Sequence, residues 1–258
     1  MREKKSGGQR EITAPRIFLK TVQRYILDCI LTPLPVHACA VGFVRGRNLT
    51  TGAQVHVGHP FLWNIDLKDF FPSIKQDNVT KAFESMGYPP EAAYFLSGLC
   101  CLNGSLPQGA PTSPALANII FRSADKELSK LAKENKIRYT RYADDLSFSS
   151  RSPIPDEFRK SVAVMIKKYG FTINKSKSRL MGPRCRREVT GLTVNQQLSI
   201  PREKRRQLRA MFHQAVRQPT LAEERKQQLR GYIAWISQYH PKEAARYLEQ
   251  LGWRRGQI

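Results

Sequence analysis

Asp144 and Asp145 stand side by side in Tyr142-Ala143-Asp144-Asp145, between two runs, residues 137–141 and 146–149, that alternate between two faces with strand period. Neighbouring side chains on a regular strand diverge, so two carboxylates aimed at one point require a tight turn; the reading is a hairpin with the acids at its tip. An Asp pair alone is common in solvated turns. A third acid changes the balance. Asp66 ends the apolar run Phe61-Leu62-Trp63-Asn64-Ile65, where a buried strand would not otherwise tolerate a carboxylate. Oxygen ligands of this kind suit hard divalent cations such as Mg²⁺, which takes one or two carboxylates and shares its other positions with phosphate and water. Two such ions about 3.5–4 Å apart activate an attacking hydroxyl and stabilise a leaving oxygen in an in-line phosphoryl displacement.

The elements that must position these acids are legible in outline. Phe18, Val22, Tyr25, Ile26, Cys29 and Ile30 recur at helical spacing and predict a core-facing helix stopped by Pro33 and Pro35. Residues 42–58 read as a basic loop. Val79, Phe83 and Met86, then Ala92, Leu96, Leu99 and Cys100, predict scaffold helices. Pro114 can open a helix carrying Leu116, Ile119, Ile120, Leu128 and Leu131, because proline in the first turn forfeits no needed donor. Phe158, Val162, Met165, Ile166 and Tyr169 make another amphipathic helix that Gly170 can end. Residues 187–195 and 198–200 predict a hairpin with Asn195-Gln196-Gln197 at its turn. Helical patterns then fill residues 201–216, 221–238 and 241–251. The result is an α+β chain of βαββαβ order, with helices on one face of a small antiparallel sheet and the aspartates on the other.

At 258 residues and 41% hydrophobic content the chain can bury a real core. Its formal charge of +22 fits a polyanionic partner far better than a small neutral substrate. Residues 175–258 hold 19 of the 43 basic residues and only 6 acidic ones, so that segment is expected to lie against phosphates. No apolar run approaches the roughly 20 residues that span a bilayer, and Met1-Arg2-Glu3-Lys4-Lys5 is not followed by a signal-peptide core. No membrane partner and a cytoplasmic location are the expectation. Five cysteines without a C-x-x-C pair argue for reduced, mostly packed thiols.

With these residues in hand, the chain resembles reverse transcriptases, and among them most closely the bacterial retron type. The resemblance rests on Asn64-Ile65-Asp66-Leu67-Lys68-Asp69-Phe70-Phe71-Pro72-Ser73, Leu106-Pro107-Gln108-Gly109-Ala110-Pro111-Thr112-Ser113-Pro114 and Arg141-Tyr142-Ala143-Asp144-Asp145-Leu146, in this order and spacing. It implies a right-hand polymerase with fingers and palm over residues 1–187, and a primer-grip hairpin and basic helical thumb over residues 188–258. It implies two Mg²⁺ ions held by Asp66, Asp144, Asp145 and the Leu67 carbonyl. Asp69, Phe70, Phe71, Gln108 and Gly109 would face the incoming nucleotide, with Phe71 against its sugar as a gate to the 2′-hydroxyl. Arg10 is either a nucleotide-phosphate contact or an exposed surface arginine; related enzymes generally carry more residues ahead of it. Lys177 is either a proton donor to leaving pyrophosphate or a phosphate-facing lysine.

Retron enzymes commonly show Asn-Ala-x-x-His where this chain has Gly52-Ala53-Gln54-Val55-His56, and Val-Thr-Gly where it has Val189-Thr190-Gly191. On the resemblance these segments, His56 included, contact RNA, although a histidine is more often a hydrogen-bonded structural residue and Val-Thr-Gly is ordinary strand chemistry. The implied function is RNA-directed DNA synthesis on a structured non-coding RNA, primed from an RNA 2′-hydroxyl, in a phage-defence system. The implied partners are that RNA, dNTPs, the RNA–DNA hybrid product and an effector protein. No maturase, endonuclease or RNase H-like segment is expected. The alternatives are a group II intron-like or abortive-infection reverse transcriptase, and a catalytically silent RNA-binding scaffold.

Overall fold

A computed structural model describes residues 13–253, together with the backbone of two short strands, β1 (Arg2–Glu3) and β2 (Gln9–Arg10), paired antiparallel with Arg2 opposite Arg10. The expectation for the Arg10 side chain lies outside what is described.

The sheet that carries the acids is built from β3 (Phe61–Asp66), β4 (Arg138–Tyr142), β5 (Asp145–Ser150) and β6 (Arg179–Met181), in the order β4-β5-β3-β6 with every pair antiparallel. Trp63 stacks on Phe148 at 5.4 Å and Phe148 on Tyr139 at 4.7 Å, cross-strand aromatic pairs that fix register and bury the helical face. Against that face pack α3 (Phe70–Ser73), α4 (Gln76–Ser85), α5 (Pro90–Cys100), α6 (Ser113–Ile120), α7 (Arg122–Glu134) and α8 (Asp156–Lys168). The βαββαβ order stands. Pro114 sits in the first turn of α6, as read, but the single helix expected beyond it is two, parted at the fully buried Phe121.

Two local expectations are corrected. The first helix, α1 (Ile17–Tyr25), runs on as a π-helical segment Ile26–Leu31 and buries Gln23, Ile26 and Leu31, while Phe18 stays 82% exposed, Tyr25 67% exposed, and Cys29 outside. The buried face still repeats at helical spacing, through Val22, Ile26 and Ile30 as expected, but its other row is Gln23, Leu27 and Leu31 rather than Phe18, Tyr25 and Cys29. Second, the segment read as loop contains α2 (Leu49–Gln54), capped by an Asn48–Thr51 capping box. Gly52 tolerates this helix for a packing reason: a Cβ there would meet Val41 Cγ2 at 2.7 Å.

Beyond β6, β7 (Glu188–Val189) and β8 (Leu192–Thr193) pair across Thr190-Gly191. Both turn residues have positive φ, +50° and +81°, the geometry of a two-residue hairpin loop of type I′. The turn at residues 195–197 also exists, closed by mutual backbone bonds between Thr193 and Ser199. The chain then forms α9 (Arg202–Arg217), α10 (Pro219–Glu224), α11 (Lys226–Ser237) and α12 (Pro241–Gln250), with a core of their own around Leu208, Phe212, Ile233 and Tyr247. Trp235 and Tyr239 join that core to a smaller one formed by Leu62, Val189 and Leu192, and the Tyr239 hydroxyl meets the Thr50 hydroxyl at 2.6 Å. No described helix is long and apolar enough to cross a membrane.

Candidate active site

Asp66 ends β3 directly opposite Asp145, the first residue of β5, and Tyr142 closes β4 opposite the same Asp145. Ala143 and Asp144 make the turn, with Ala143 at φ +54°. The Leu67 amide donates to the Asp144 carbonyl at 3.0 Å, which ties the end of β3 to that turn. All three carboxylates therefore face one cavity of about 830 Å³, whose lining also includes Phe71, Gln108, Gly109, Lys177, Glu188, Thr190 and Gly191.

The electrostatics of the acids follow from crowding. Although Asp145 keeps exposed surface, desolvation of its carboxyl in the cavity, then the neighbouring charges of Asp144 and Asp66, push its pKa up to about 6, against a smaller opposing pull from Lys177. The Lys177 ammonium pairs with Asp66 Oδ2 at 2.9 Å, and this bond raises its own pKa. Asn174 lies 3.4 Å from the other Asp66 oxygen. Among the described residues no set of three or more His, Cys, Asp or Glu side chains is gathered closely enough to hold a metal as it stands. The donor chemistry nonetheless fits a hard cation: three carboxylates share one cavity, and the charge repulsion that raises Asp145 is what a divalent ion relieves.

The hairpin is braced from behind by a buried polar network. Arg141, with no exposed surface, donates through Nε and Nη2 to Asp125 of α7 at 2.9 and 2.6 Å, and through Nη1 to Asn118 Oδ1 at 3.0 Å and the Ala143 carbonyl at 3.1 Å. Tyr139 donates to the same Asp125 at 2.8 Å, and the guanidinium lies 4.6 Å from the Phe121 ring centre. Arg141 thus reaches the turn itself. Sequence reading missed this role; the available signal was period two, which places Arg141 on the same face as the core residue Tyr139.

The remaining expected residues divide. Phe71 and Gln108 line the cavity half-buried, and Gly109, at φ +122°, lines it from the exposed loop before α6. The Gln108 backbone carbonyl accepts from the Thr13 amide at 2.8 Å. Asp69 is exposed at φ +47° at the start of α3. Phe70 also borders the cavity but is 3% exposed, its ring packed with Phe121 and Phe171; it is a wall residue. His56 and Val189 are corrected. His56 is fully buried, with its ring nitrogens 2.7 Å from Ser149 Oγ and 2.7 Å from Thr140 Oγ1, so no face is left for RNA. Burial pushes its pKa down to about 3, keeping it neutral. Val189 is fully buried in the small core, and only Thr190 and Gly191 of that triplet reach the cavity.

An antiparallel sheet backed by helices, with paired acids at a hairpin tip beside a basic helical unit, is the palm of a right-hand polymerase. Residues 2–228 match the family model described as reverse transcriptase (RNA-dependent DNA polymerase). The chain is 37% identical to the Retron Mx65 reverse transcriptase of Myxococcus xanthus, over 94% of this chain and 61% of that protein. It is 31% identical to the Retron Ec73 reverse transcriptase of Escherichia coli, over 97% of this chain and 86% of that protein. Among solved structures, Candida tropicalis telomerase in complex with a TWJ fragment of telomeric RNA is similar at TM-score 0.49 and 12% identity, covering 71% of this chain and 36% of that one. The chain belongs to the reverse transcriptase family, in its retron branch. It spans about six tenths of the length of the Myxococcus relatives.

Proposed function

We propose that this chain is the RNA-directed DNA polymerase of a retron, acting in the cytoplasm on one structured non-coding RNA and priming DNA synthesis from a 2′-hydroxyl of that RNA. The observation that carries the reading is the register of β3 on β5, which sets Asp66 opposite Asp145 with Asp144 at the adjoining turn, all facing a cavity shared with Phe71 and Gln108. Two Mg²⁺ ions, held by Asp66, Asp144, Asp145 and the Leu67 carbonyl, would supply Lewis-acid stabilisation of the attacking and leaving oxygens. The chain's own residues do the rest by positioning. Phe71 stands against the sugar and excludes a 2′-hydroxyl; Gln108 offers an amide to the incoming pair. Lys177, now on Asp66, is the candidate to meet pyrophosphate and hand it a proton. Thr190 and Gly191 border the side of the cavity toward the basic helices, where template, primer and the growing hybrid would lie.

Charge alone is indifferent to sequence, so choosing one RNA requires contacts to loops, 2′-hydroxyls or helix shape. We further propose a phage-defence role with an effector protein beside the polymerase, as the resemblance to retron enzymes implies.

The test is to purify the protein from its host and digest the bound nucleic acid with RNase or DNase before a denaturing gel. The expected product is a short DNA whose mobility shifts after RNase but which retains a ribonucleotide remnant at its 5′ end, and whose synthesis stops in Asp145→Asn. Free DNA without attached ribonucleotide would reject the retron assignment and leave polymerase activity standing. Extension by Asp145→Asn at the wild-type rate would reject the site.

A further inference from the structure

Phe43 is an aromatic residue held where neither burial nor backbone preference would put it. It is 56% exposed, its φ is +60°, and its ring lies at the cavity edge 5.7 Å from the Tyr142 ring, the two planes tilted by 44°. A bulky side chain in the left-handed region is strained, and an exposed ring recovers little of that cost through burial. Glycine would be the unstrained choice, and the chain uses it one residue earlier for a different purpose: a Cβ on Gly42 would meet the Ala143 nitrogen at 2.9 Å.

The loop around Phe43 is pinned to the catalytic hairpin. Val41 donates to the Arg141 carbonyl and Arg141 to the Cys39 carbonyl, each at 2.8 Å. Asn118, itself bound to the Arg141 guanidinium, donates to the Gly42 carbonyl at 2.9 Å. Arg47 gathers the His37 carbonyl at 2.8 Å and the Ala38 carbonyl at 3.3 Å. The ring is thus presented by a braced segment, and its position is coupled through Gly42 to the turn that carries Asp144. Of the described non-glycine residues with positive φ, Phe43, Ala143 and Thr190 all line this cavity, so strain gathers at the site.

We propose that Phe43, together with Tyr142, forms an aromatic ledge on which a nucleobase of the template–primer stacks next to the reacting nucleotide. The inference rests on the polymerase reading and adds to it a positioning residue. Its occupant follows from chemistry: an open, uncharged aromatic ring offers nothing to a phosphate, whereas every nucleobase presents a π face that stacks on it. Holding that base seats the primer end against the hairpin tip to which the loop is tied.

Three variants test it: Phe43→Gly, Phe43→Leu and Phe43→Tyr. Removing a strained, exposed ring leaves the melting temperature of Phe43→Gly at or above the wild-type value, which a merely structural residue would not do. The same variant is expected to raise KM for template–primer about tenfold, with kcat changed less than about threefold; Phe43→Leu behaves likewise and Phe43→Tyr restores wild-type values. 2-Aminopurine placed at the terminal position of the template strand or of the primer strand reports the stack directly. Quenching of one probe by wild type and its loss in Phe43→Gly identifies the strand. Unchanged KM and unchanged quenching for both probes, or a melting temperature that falls with activity in all three variants, would overturn the proposal. Binding and fluorescence do not require turnover, so failure of this inference is separable from failure of polymerase activity.

Discussion

Two hairpins line the cavity, and both turn through residues in the left-handed region, Ala143 in one and Thr190-Gly191 in the other. Their support differs. The first is clamped by buried polar groups: Arg141 and Asp125 behind the turn, and His56 bridging Thr140 on one strand to Ser149 on the other. The second pairs only two residues on each strand and rests on an apolar core of Val189, Leu192 and Leu62. A buried polar network tolerates few arrangements because each unmet partner is costly, whereas apolar packing accepts small shifts. The hairpin that must aim two carboxylates has the first kind of support. The one that lines the cavity through Thr190 and Gly191 has the second.

The largest effect that sharpens this contrast is catalytic. Asp145→Asn is expected to cut primer extension at least about a thousandfold while RNA affinity, carried by distributed phosphate contacts, stays within about twofold. Thr190→Ala is expected to cost less than about tenfold. A loss at Thr190 as large as at Asp145 would break the division of labour.

Next is the clamp. Arg141→Met leaves Asp125 charged and buried without its partner and should cost roughly 3–5 kcal/mol in urea denaturation. Arg141→Met combined with Asp125→Leu should recover most of it, because the unpaired charge is then gone. If the double variant is as unstable as the single one, the bonds to Ala143 and Asn118 dominate instead.

The third test is pH. His56 has a folded pKa lowered from 6.5 to about 3 by burial, so its contribution to stability is complete above pH 6.5 and is lost as pH falls toward 3. Below 6.5 it should add a slope of about 1.4 kcal/mol per pH unit. His56→Gln, which can still bond both hydroxyls, should flatten that slope; equal slopes for the two proteins would remove His56 from the clamp.

The smallest effect belongs to the second hairpin. Thr190→Asn places Asn-Gly in a turn that prefers it and should stabilise by about 0.5 kcal/mol. Destabilisation instead would show that the Thr190 hydroxyl, 2.8 Å from its neighbour's carbonyl, outweighs its backbone strain.

The acids and their order, the βαββαβ succession, the helix opened by Pro114 and the basic helices after residue 201 were all legible in the chain, because each depends on periodicity or on neighbours a few residues away. The hairpin tip was legible for the same reason: two adjacent carboxylates between alternating runs leave a turn as the one local solution. His56 was not, since its partners lie 84 and 93 residues along the chain and nothing beside it distinguishes a buried histidine from a ligand. Nor was the full face of the first helix, where Gln23 is buried with its side-chain amide on the Leu99 carbonyl, 76 residues away, while Phe18 stays exposed. Gly52 fell within the run read as loop and proved to sit in a helix where its missing side chain leaves room for Val41. Phe43 stood in a basic loop with no period to mark it. These are settled by which distant surfaces meet, and the energies that choose among such meetings belong to burial and unmet hydrogen bonds rather than to any local run of residues.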